Sequence, residues 1–199
     1  AVQLVIELAE LYQVPSYILH VSTQGELDLV KAAKARGVMV YIETCPHYLF
    51  LDDSQYANLN GRAKMNPPLR SKIDQDVLWQ ALNEGVIDTI GSDHAPHQLH
   101  EKEQPLCKCP SGVPGIETTL PLLITAWREN KLSLAKLVAL THDNPQQIFN
   151  LPVNDDLVLV DIVNYRELSD AQMASKCHWT PFVGMNLTGF PRYVFTQQR

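Results

Sequence analysis

Hydrophobic and polar positions follow two different periods along residues 1–150 of the chain. Four short apolar, β-prone runs predict strands, at 16–21, 38–44, 63–66 and 86–91. Six longer segments with apolar residues three and four positions apart predict helices, at 1–12, 24–36, 73–84, 117–130, 133–140 and 144–150. Because strands alternate with helices, the pattern predicts βαβ units around a parallel sheet.

This alternation is typical of a (β/α)8 barrel, but the chain is too short for a whole one. A complete barrel takes about 250 residues, whereas this α/β chain has 199. Four strands with their connections account for half a barrel. From residue 151 the pattern changes to one further apolar strand, at 157–163, and then to an irregular, aromatic-rich stretch. The sequence therefore predicts a partial (β/α)8 barrel at 1–150 and a tail at 151–199.

Composition disfavours several functional classes. Sixteen Lys and Arg against 22 Asp and Glu give a net charge of -6, which argues against a nucleic-acid binder. No stretch approaches the ~20 apolar residues of a membrane span. Four cysteines are too few for a disulfide scaffold in a chain of this length, which predicts a cytoplasmic protein with reduced thiols. The first residue is Ala1, inside a predicted helix, so we expect the chain to begin within a longer protein.

Polar side chains stand at the end of each predicted strand. His20 ends the first strand, His47 follows the second, Asn66 ends the third, and Asp93 and His97 follow the fourth. In (β/α)8 folds the active residues lie at the carboxyl ends of the strands. Each residue alone has an ordinary explanation, such as a core histidine or a helix cap. Their occurrence at all four strand ends favours one shared site.

The residue types of this set suit a zinc ion. The imidazoles of His20 and His47 and the carboxylate of Asp93 are zinc ligands, and zinc polarises a carbonyl and lowers the pKa of bound water to about 7. Asp93 can bind through one oxygen and use the other as a general base. A competing cluster has histidines at 94, 97 and 100, but an intervening proline disfavours the helix that would bring them together.

An ordered set of short motifs carries a family resemblance. In chain order they are HVS at 20–22, ETCPHYL at 43–49, NPPLR at 66–70, GSDHAPH at 91–97, PSGVPGIET at 110–118 and NP at 144–145. In these motifs the chain resembles the C-terminal half of the dihydroorotases, in the cyclic amidohydrolase branch of the amidohydrolase superfamily. The resemblance covers residues 20–151 and continues more loosely to 189.

The resemblance implies a fold and an activity. The chain would supply about strands 5–8 of a metal-dependent hydrolase barrel, with the tail as a remnant of a small β-domain. The reaction implied is the reversible hydrolysis of dihydroorotate, a small-molecule substrate, to N-carbamoyl-aspartate in pyrimidine biosynthesis. The segment at 91–97 favours this substrate among cyclic amides, because a histidine that can carry a positive charge suits its carboxylate.

The resemblance also implies roles for seven residues. The metal ligands are His20, His47 and Asp93, and Asp93 is also the catalytic acid and base. The substrate-binding residues are Asn66 at the ring, His97 at the carboxylate, and Ser111 and Gly112 through their backbone. Complete enzymes of the family hold two zinc ions at this site, of which the ligands in this chain support at most one.

The chain departs from the family pattern upstream. It contains no H-x-H pair, and the lysine that bridges two metal ions would lie before Ala1. A half barrel also exposes two strand edges, which pair readily with another chain. We therefore expect either a missing N-terminal half or an oligomer that supplies the remaining strands.

Three other interpretations stay open at this point. The motifs at 43–49 and 66–70 are shared with allantoinase-like, hydantoinase-like and dihydropyrimidinase-type enzymes, so another cyclic amide could be the substrate. The missing ligands would suit a non-catalytic dihydroorotase-like scaffold that binds a partner such as aspartate transcarbamoylase. An unrelated α/β domain with coincidental motifs predicts no bound metal and no inward-facing cluster of these side chains.

Overall fold

Three short parallel strands form the main sheet. The computed structural model describes residues 1–153 and 155–196, and the strands are β1 (Ser16–Ile18), β2 (Val40–Thr44) and β3 (Thr89–Ile90). Strand β2 lies between the other two, and both pairings are parallel. The predicted α/β class and its parallel sheet are therefore confirmed, while the assignment to barrel strands 5–8 stays a prediction.

Helices connect and cover these strands. In the described part of the chain they are α1 (Val2–Tyr12), α2 (Gln24–Ala35), α3 (Pro46–Phe50), α4 (Tyr56–Leu59), α5 (Lys72–Glu84), α6 (Leu99–Lys102), α7 (Thr119–Arg128), α8 (Leu134–Val138) and α9 (Asn144–Ile148). A π-helical turn at Ala139–Asp143 joins the last two. All six predicted helices are present, and the short helices α3, α4 and α6 fall where the periodicity predicts none.

The predicted strand at 63–66 is wrong. A 3-10 turn occupies Asn60–Ala63, and the next carbonyl, that of Lys64, accepts hydrogen bonds from Gly112 N (3.0 Å) and from Lys102 Nζ (2.8 Å). This segment therefore bonds to a loop and a side chain instead of to a strand. As a result β3 pairs directly with β2, and the described parallel sheet has three strands where the sequence predicts four.

Local signals end the helices so that the chain returns to the sheet. Helix α2 begins at a capping box, in which Thr23 Oγ1 accepts from Glu26 N (3.3 Å) and the Glu26 carboxylate accepts from Thr23 N (3.0 Å). Helix α5 ends at Gly85, whose φ of 80° lies in the left-handed region that terminates helices. These caps set where each strand can begin.

The two faces of the sheet differ in character. On β2, Val40 and Ile42 are buried and belong to the same core as the fully buried Leu27 of α2. The opposite face is polar, and there the hydroxyl of Tyr17 donates to Glu43 Oε2 (2.7 Å). The helices therefore pack on the apolar face of the sheet, and polar side chains lie on the other face.

The tail folds back onto this core. It contains β4 (Leu157–Asp161), β5 (Arg166–Glu167), β6 (Asn186–Leu187) and β7 (Phe190–Phe195), with β4 antiparallel to β7 and β5 antiparallel to β6. Trp179 and Phe182 are buried in the same hydrophobic cluster as the helices. The division into 1–150 and 151–199 stays a prediction, and residues 154 and 197–199 of the predicted tail lie outside the described residues.

Two further features bear on the sequence-based expectations. All four cysteines are free thiols. Within residues 1–153 and 155–196, every helix is too short or too polar to cross a membrane.

Candidate metal and substrate site

The chain leaves the sheet in an unusual conformation at two of the predicted ligands. His20 has φ 43° and Asp93 has φ 44°, both in the left-handed region that residues other than glycine rarely adopt. The next residue after His20, Val21, donates its N–H to Glu43 O (2.8 Å). Two residues before Asp93, Gly91 N donates to Thr44 O at the end of β2 (3.0 Å). Strained backbone of this kind clusters at functional sites. Both strand ends next to β2 therefore carry this feature.

His47 lies deepest in the site. It sits in the first turn of α3 and is only 1% exposed. Its Nε2 atom is buried and has no hydrogen-bond partner among the described residues. Such an orphaned polar atom costs about 1–3 kcal/mol unless something binds it. Burial, with a smaller effect from His20, lowers the pKa of His47 to about 3, so the ring is neutral at physiological pH.

The side chains of two further residues come close to the His47 ring. The ligand atoms of Cys45, His47 and Asp93 all lie within 4.8 Å of one another. His20 is not in this group of three, although its charge contributes to the lowered pKa of His47. A sulfur, a nitrogen and a carboxylate oxygen are all zinc ligands, and the orphaned Nε2 offers a lone pair. The imidazole of His47 and the carboxylate of Asp93 therefore fit a metal ion.

Cys45 is the member of this group that the sequence interpretation missed. Its sequence signal is weak, because a single cysteine two residues before a histidine is ordinary. The side chain is fully buried and packs within the hydrophobic core, as free cysteines commonly do. Burial raises the pKa of the Cys45 thiol, and the nearby carboxylates of Glu43 and Asp93 add to the effect. These features suit a packing role.

The predicted carboxylate-binding histidine contacts the predicted substrate loop. His97 Nε2 lies 3.1 Å from Ser111 O, and a carbonyl can only accept, so this nitrogen carries the proton. The backbone oxygen of His97 accepts from the indole of Trp179 (2.8 Å). His97 and Ser111 are thus brought together, and the hydrogen bond from Trp179 in the tail fixes the His97 backbone.

Gly112 packs directly against the segment that follows Asp93. It has φ 129°, and a Cβ atom at this position would lie 2.5 Å from Ala95 O. Val113, the next residue, accepts a hydrogen bond from Ala95 N (3.0 Å). A side chain at position 112 would push the loop away. The glycine therefore allows the loop to lie against the segment that follows Asp93.

Asn66 is exposed, and its backbone is tied to the same loop. Two residues before it, the carbonyl of Lys64 accepts from Gly112 N (3.0 Å). The structure therefore draws the segments of all four predicted substrate residues together. It does not form the alternative histidine cluster, because His94 Nδ1 accepts from Gly115 N (3.1 Å) and the His100 side chain is exposed on α6.

The chain is similar to known proteins over nearly its whole length. No family model matches the chain. It is 37% identical over 193 residues to the dihydroorotase of Deinococcus radiodurans, covering 94% of this chain and 46% of that protein. The chain is related to the dihydroorotases. It is also 38% identical over 192 residues to the multifunctional protein CAD of Squalus acanthias, covering 96% of this chain and 8% of that protein.

Two solved structures, of a dihydropyrimidinase and of a dihydroorotase-like domain, are similar to the structure of this chain. The dihydropyrimidinase of Brevibacillus agri superimposes with a TM-score of 0.92 at 30% identity, covering 98% of this chain and 46% of that one. The inactive dihydroorotase-like domain of the Chaetomium thermophilum CAD-like protein superimposes with a TM-score of 0.79 at 25% identity, covering 98% and 53%. The chain thus spans about half the length of the dihydroorotases and dihydropyrimidinases that it matches.

Proposed function

We propose that the polypeptide carrying these 199 residues is a metal-dependent cyclic amidohydrolase that converts dihydroorotate to N-carbamoyl-aspartate. Two observations carry this proposal in a chain related to the dihydroorotases: the Nε2 of His47 is buried without a partner, and the His47 ring lies within 4.8 Å of a carboxylate oxygen of Asp93. The chain would contribute half of a (β/α)8 barrel over 1–150 and a tail over 151–199.

The proposed metal ligands are His20, His47 and Asp93. A zinc ion held there would polarise the ring carbonyl and lower the pKa of a bound water to about 7. The left-handed backbone of both His20 and Asp93, at the ends of two neighbouring strands, supports their place in this set. These donors account for one zinc, and a second would need ligands from outside the 199 residues.

Asp93 is proposed as the catalytic acid and base. A carboxylate that binds a metal through one oxygen keeps its second oxygen free to accept a proton from the attacking water. The water oxygen adds to the ring carbonyl carbon, the carbon–nitrogen bond of the ring breaks, and Asp93 returns the proton to the leaving nitrogen. The proton that Asp93 takes from the water thus ends on the ring nitrogen, and the carboxylate is regenerated.

His97 is proposed to bind the substrate carboxylate. Because its Nε2 donates to the carbonyl of Ser111, only Nδ1 is available for a ligand. Protonation of Nδ1 creates a charged donor, which binds a carboxylate more strongly than a neutral one does. Asn66 and the backbone of Ser111 and Gly112 would complete the contacts around the ring.

Two other functions are favoured by particular observations. The structural similarity to a dihydropyrimidinase favours a substrate that lacks a carboxylate, such as a dihydropyrimidine or a hydantoin. The similarity to an inactive dihydroorotase-like domain favours a scaffold, and the CAD relative makes aspartate transcarbamoylase the partner to test. Of the three functions, only dihydroorotate hydrolysis gives a role to His97, as the partner of a substrate carboxylate, as well as to the proposed metal ligands.

The deciding experiment compares substrates on the zinc-loaded polypeptide that carries the chain. We expect hydrolysis of dihydroorotate, with a kcat/KM higher than for dihydrouracil, hydantoin or allantoin. A higher kcat/KM for one of the rings without a carboxylate would show that this ring, and not dihydroorotate, is the substrate. Turnover of none of the four, in a folded polypeptide that co-purifies with aspartate transcarbamoylase, would establish the scaffold instead.

Metal binding gives a separate prediction. Cys45→Ser is expected to leave the zinc content unchanged, because Cys45 packs in the core, whereas His47→Gln is expected to abolish it. Elemental analysis after dialysis against limiting zinc provides the measurement, and the exposed thiol of Cys107 supplies a matched control, Cys107→Ser. Loss of zinc from Cys45→Ser but not from the control would make Cys45 a ligand.

A further inference from the structure

Lys102 is an unusual lysine, because its whole side chain is buried. It is 0% exposed, and within the described residues no carboxylate pairs with its ammonium group. The ammonium donates instead to three backbone carbonyls, those of Lys64, Pro110 and Gly112, each at 2.8 Å. All three donors of the group are therefore used on backbone.

The three carbonyls belong to the two segments that carry the proposed substrate contacts. Lys64 lies two residues before Asn66, and Pro110 and Gly112 stand on either side of Ser111. The ammonium therefore holds these segments against each other. The side chain of Lys64 strengthens the same junction, because its ammonium group donates to the carbonyls of Leu106 and Cys109, at 2.7 Å each.

Trp179 extends this arrangement to the remaining substrate residue. Its ring lies 5.8 Å from the Lys102 ammonium and 5.4 Å from the Arg62 guanidinium, within the range of cation–π attraction. Its Nε1 donates to the backbone oxygen of His97 (2.8 Å). A fully buried tail residue thus joins the lysine to the backbone that presents His97.

A lysine is a costly choice for a merely space-filling position. Burial lowers the pKa of Lys102 to about 8, which reflects the desolvation of its charge. An apolar side chain of similar length would fill the same volume without that cost. What the lysine adds is three directed hydrogen bonds, and all of them end on the loop and the segment around the substrate site.

We propose that the Lys102–Trp179 pair is a positioning device for substrate binding, which sets the distances between Asn66, His97 and the 111–112 backbone. The inference rests on the proposed function, since those residues are the proposed substrate contacts. Within the described residues, neither Lys102 nor Trp179 hydrogen-bonds to Cys45, His47 or Asp93, so their loss should affect substrate affinity more than the chemical step.

The test replaces Lys102 by methionine in the polypeptide that carries the chain. Misplacement of binding groups by about 1 Å costs up to ~10²-fold, so we expect KM for dihydroorotate to rise about 10- to 100-fold. The zinc content should be unchanged and kcat should fall much less than KM rises. The matched control is Lys31→Met, an exposed lysine paired with Glu84 on the protein surface.

A second variant covers the case in which Lys102→Met does not fold. Trp179→Phe keeps a buried aromatic ring but removes the hydrogen bond to His97 O and weakens the cation–π contacts, so we expect a smaller rise in KM with kcat retained. Amide exchange at Gly112 reports loop order without turnover, and it should accelerate in Lys102→Met but not in the control.

The outcomes separate this proposal from the function on which it rests. An active wild type whose folded variants both keep the control's KM would overturn the positioning role alone. The same conclusion holds if exchange at Gly112 accelerates without a change in KM, because Lys102 would then be only structural. An inactive wild type would overturn the proposed function, and the positioning role with it.

Discussion

Replacement of Asp93 by asparagine is expected to slow ring opening by about 10²- to 10⁴-fold, the usual contribution of a general acid–base group. The amide keeps an oxygen that can face a metal, but it cannot take a proton from water or return one to the ring nitrogen. The left-handed backbone at this position also suits asparagine, which adopts that region more readily than most residues. The loss should therefore be chemical and not conformational.

Initial rates with dihydroorotate, measured beside the zinc content, make this result interpretable. Asp93→Ala should lose both zinc and activity, because it removes the ligand together with the base. Asp76→Asn is the matched control, since Asp76 is an exposed residue of α5 whose ion pair with Lys72 lies on the surface. Wild-type rates in Asp93→Asn would assign proton transfer to another group.

Gly189→Ala is expected to destabilise the fold by about 2–5 kcal/mol. The residue has φ 83°, where a side chain costs about 1–2 kcal/mol, and its Cβ atom would collide with the side chain of Ile124 on α7. Overpacking a buried site of this kind adds about 1–3 kcal/mol. Gly189 N also donates to Asp161 O (2.7 Å), so the loop cannot move away freely.

Gly184 provides a control that separates the two causes. It has a nearly identical φ of 84°, but a Cβ atom there meets nothing within 4 Å. Gly184→Ala should therefore cost only the conformational part, about 1–2 kcal/mol. Urea unfolding of both variants gives the comparison, and equal losses would mean that the contact with Ile124 relaxes without cost.

Local signals in the sequence determined much of the fold. The helices over 24–36 and 73–84 form as predicted, because their caps and apolar spacing act within a few residues. Apolar runs likewise placed the three strands of the sheet. The positions of His47 and Asp93 at strand ends followed from the same reasoning, since a parallel sheet brings those ends to one edge.

Other predictions failed where local pattern was weak. The segment at 63–66 has strand-like residues, but its Lys64 carbonyl accepts from the backbone of Gly112 and from the side chain of Lys102, which no local pattern encodes. Strand β7 (Phe190–Phe195) forms in a stretch predicted to be irregular, because β4 lies beside it and supplies the hydrogen bonds. Pairing between distant segments decided both cases.

The sequence by itself determined the chemistry available to this protein: two imidazoles and a carboxylate after predicted strands, followed by a glycine-containing loop. Only the tertiary structure decided which of these groups meet. It left the buried Nε2 of His47 without a partner, brought Cys45 and Asp93 close to the His47 ring, and placed Lys102 and Trp179 behind the loop at 110–112. The physical reason is that burial and long-range hydrogen bonds depend on neighbours far apart in the chain, whereas periodicity and caps depend only on adjacent residues.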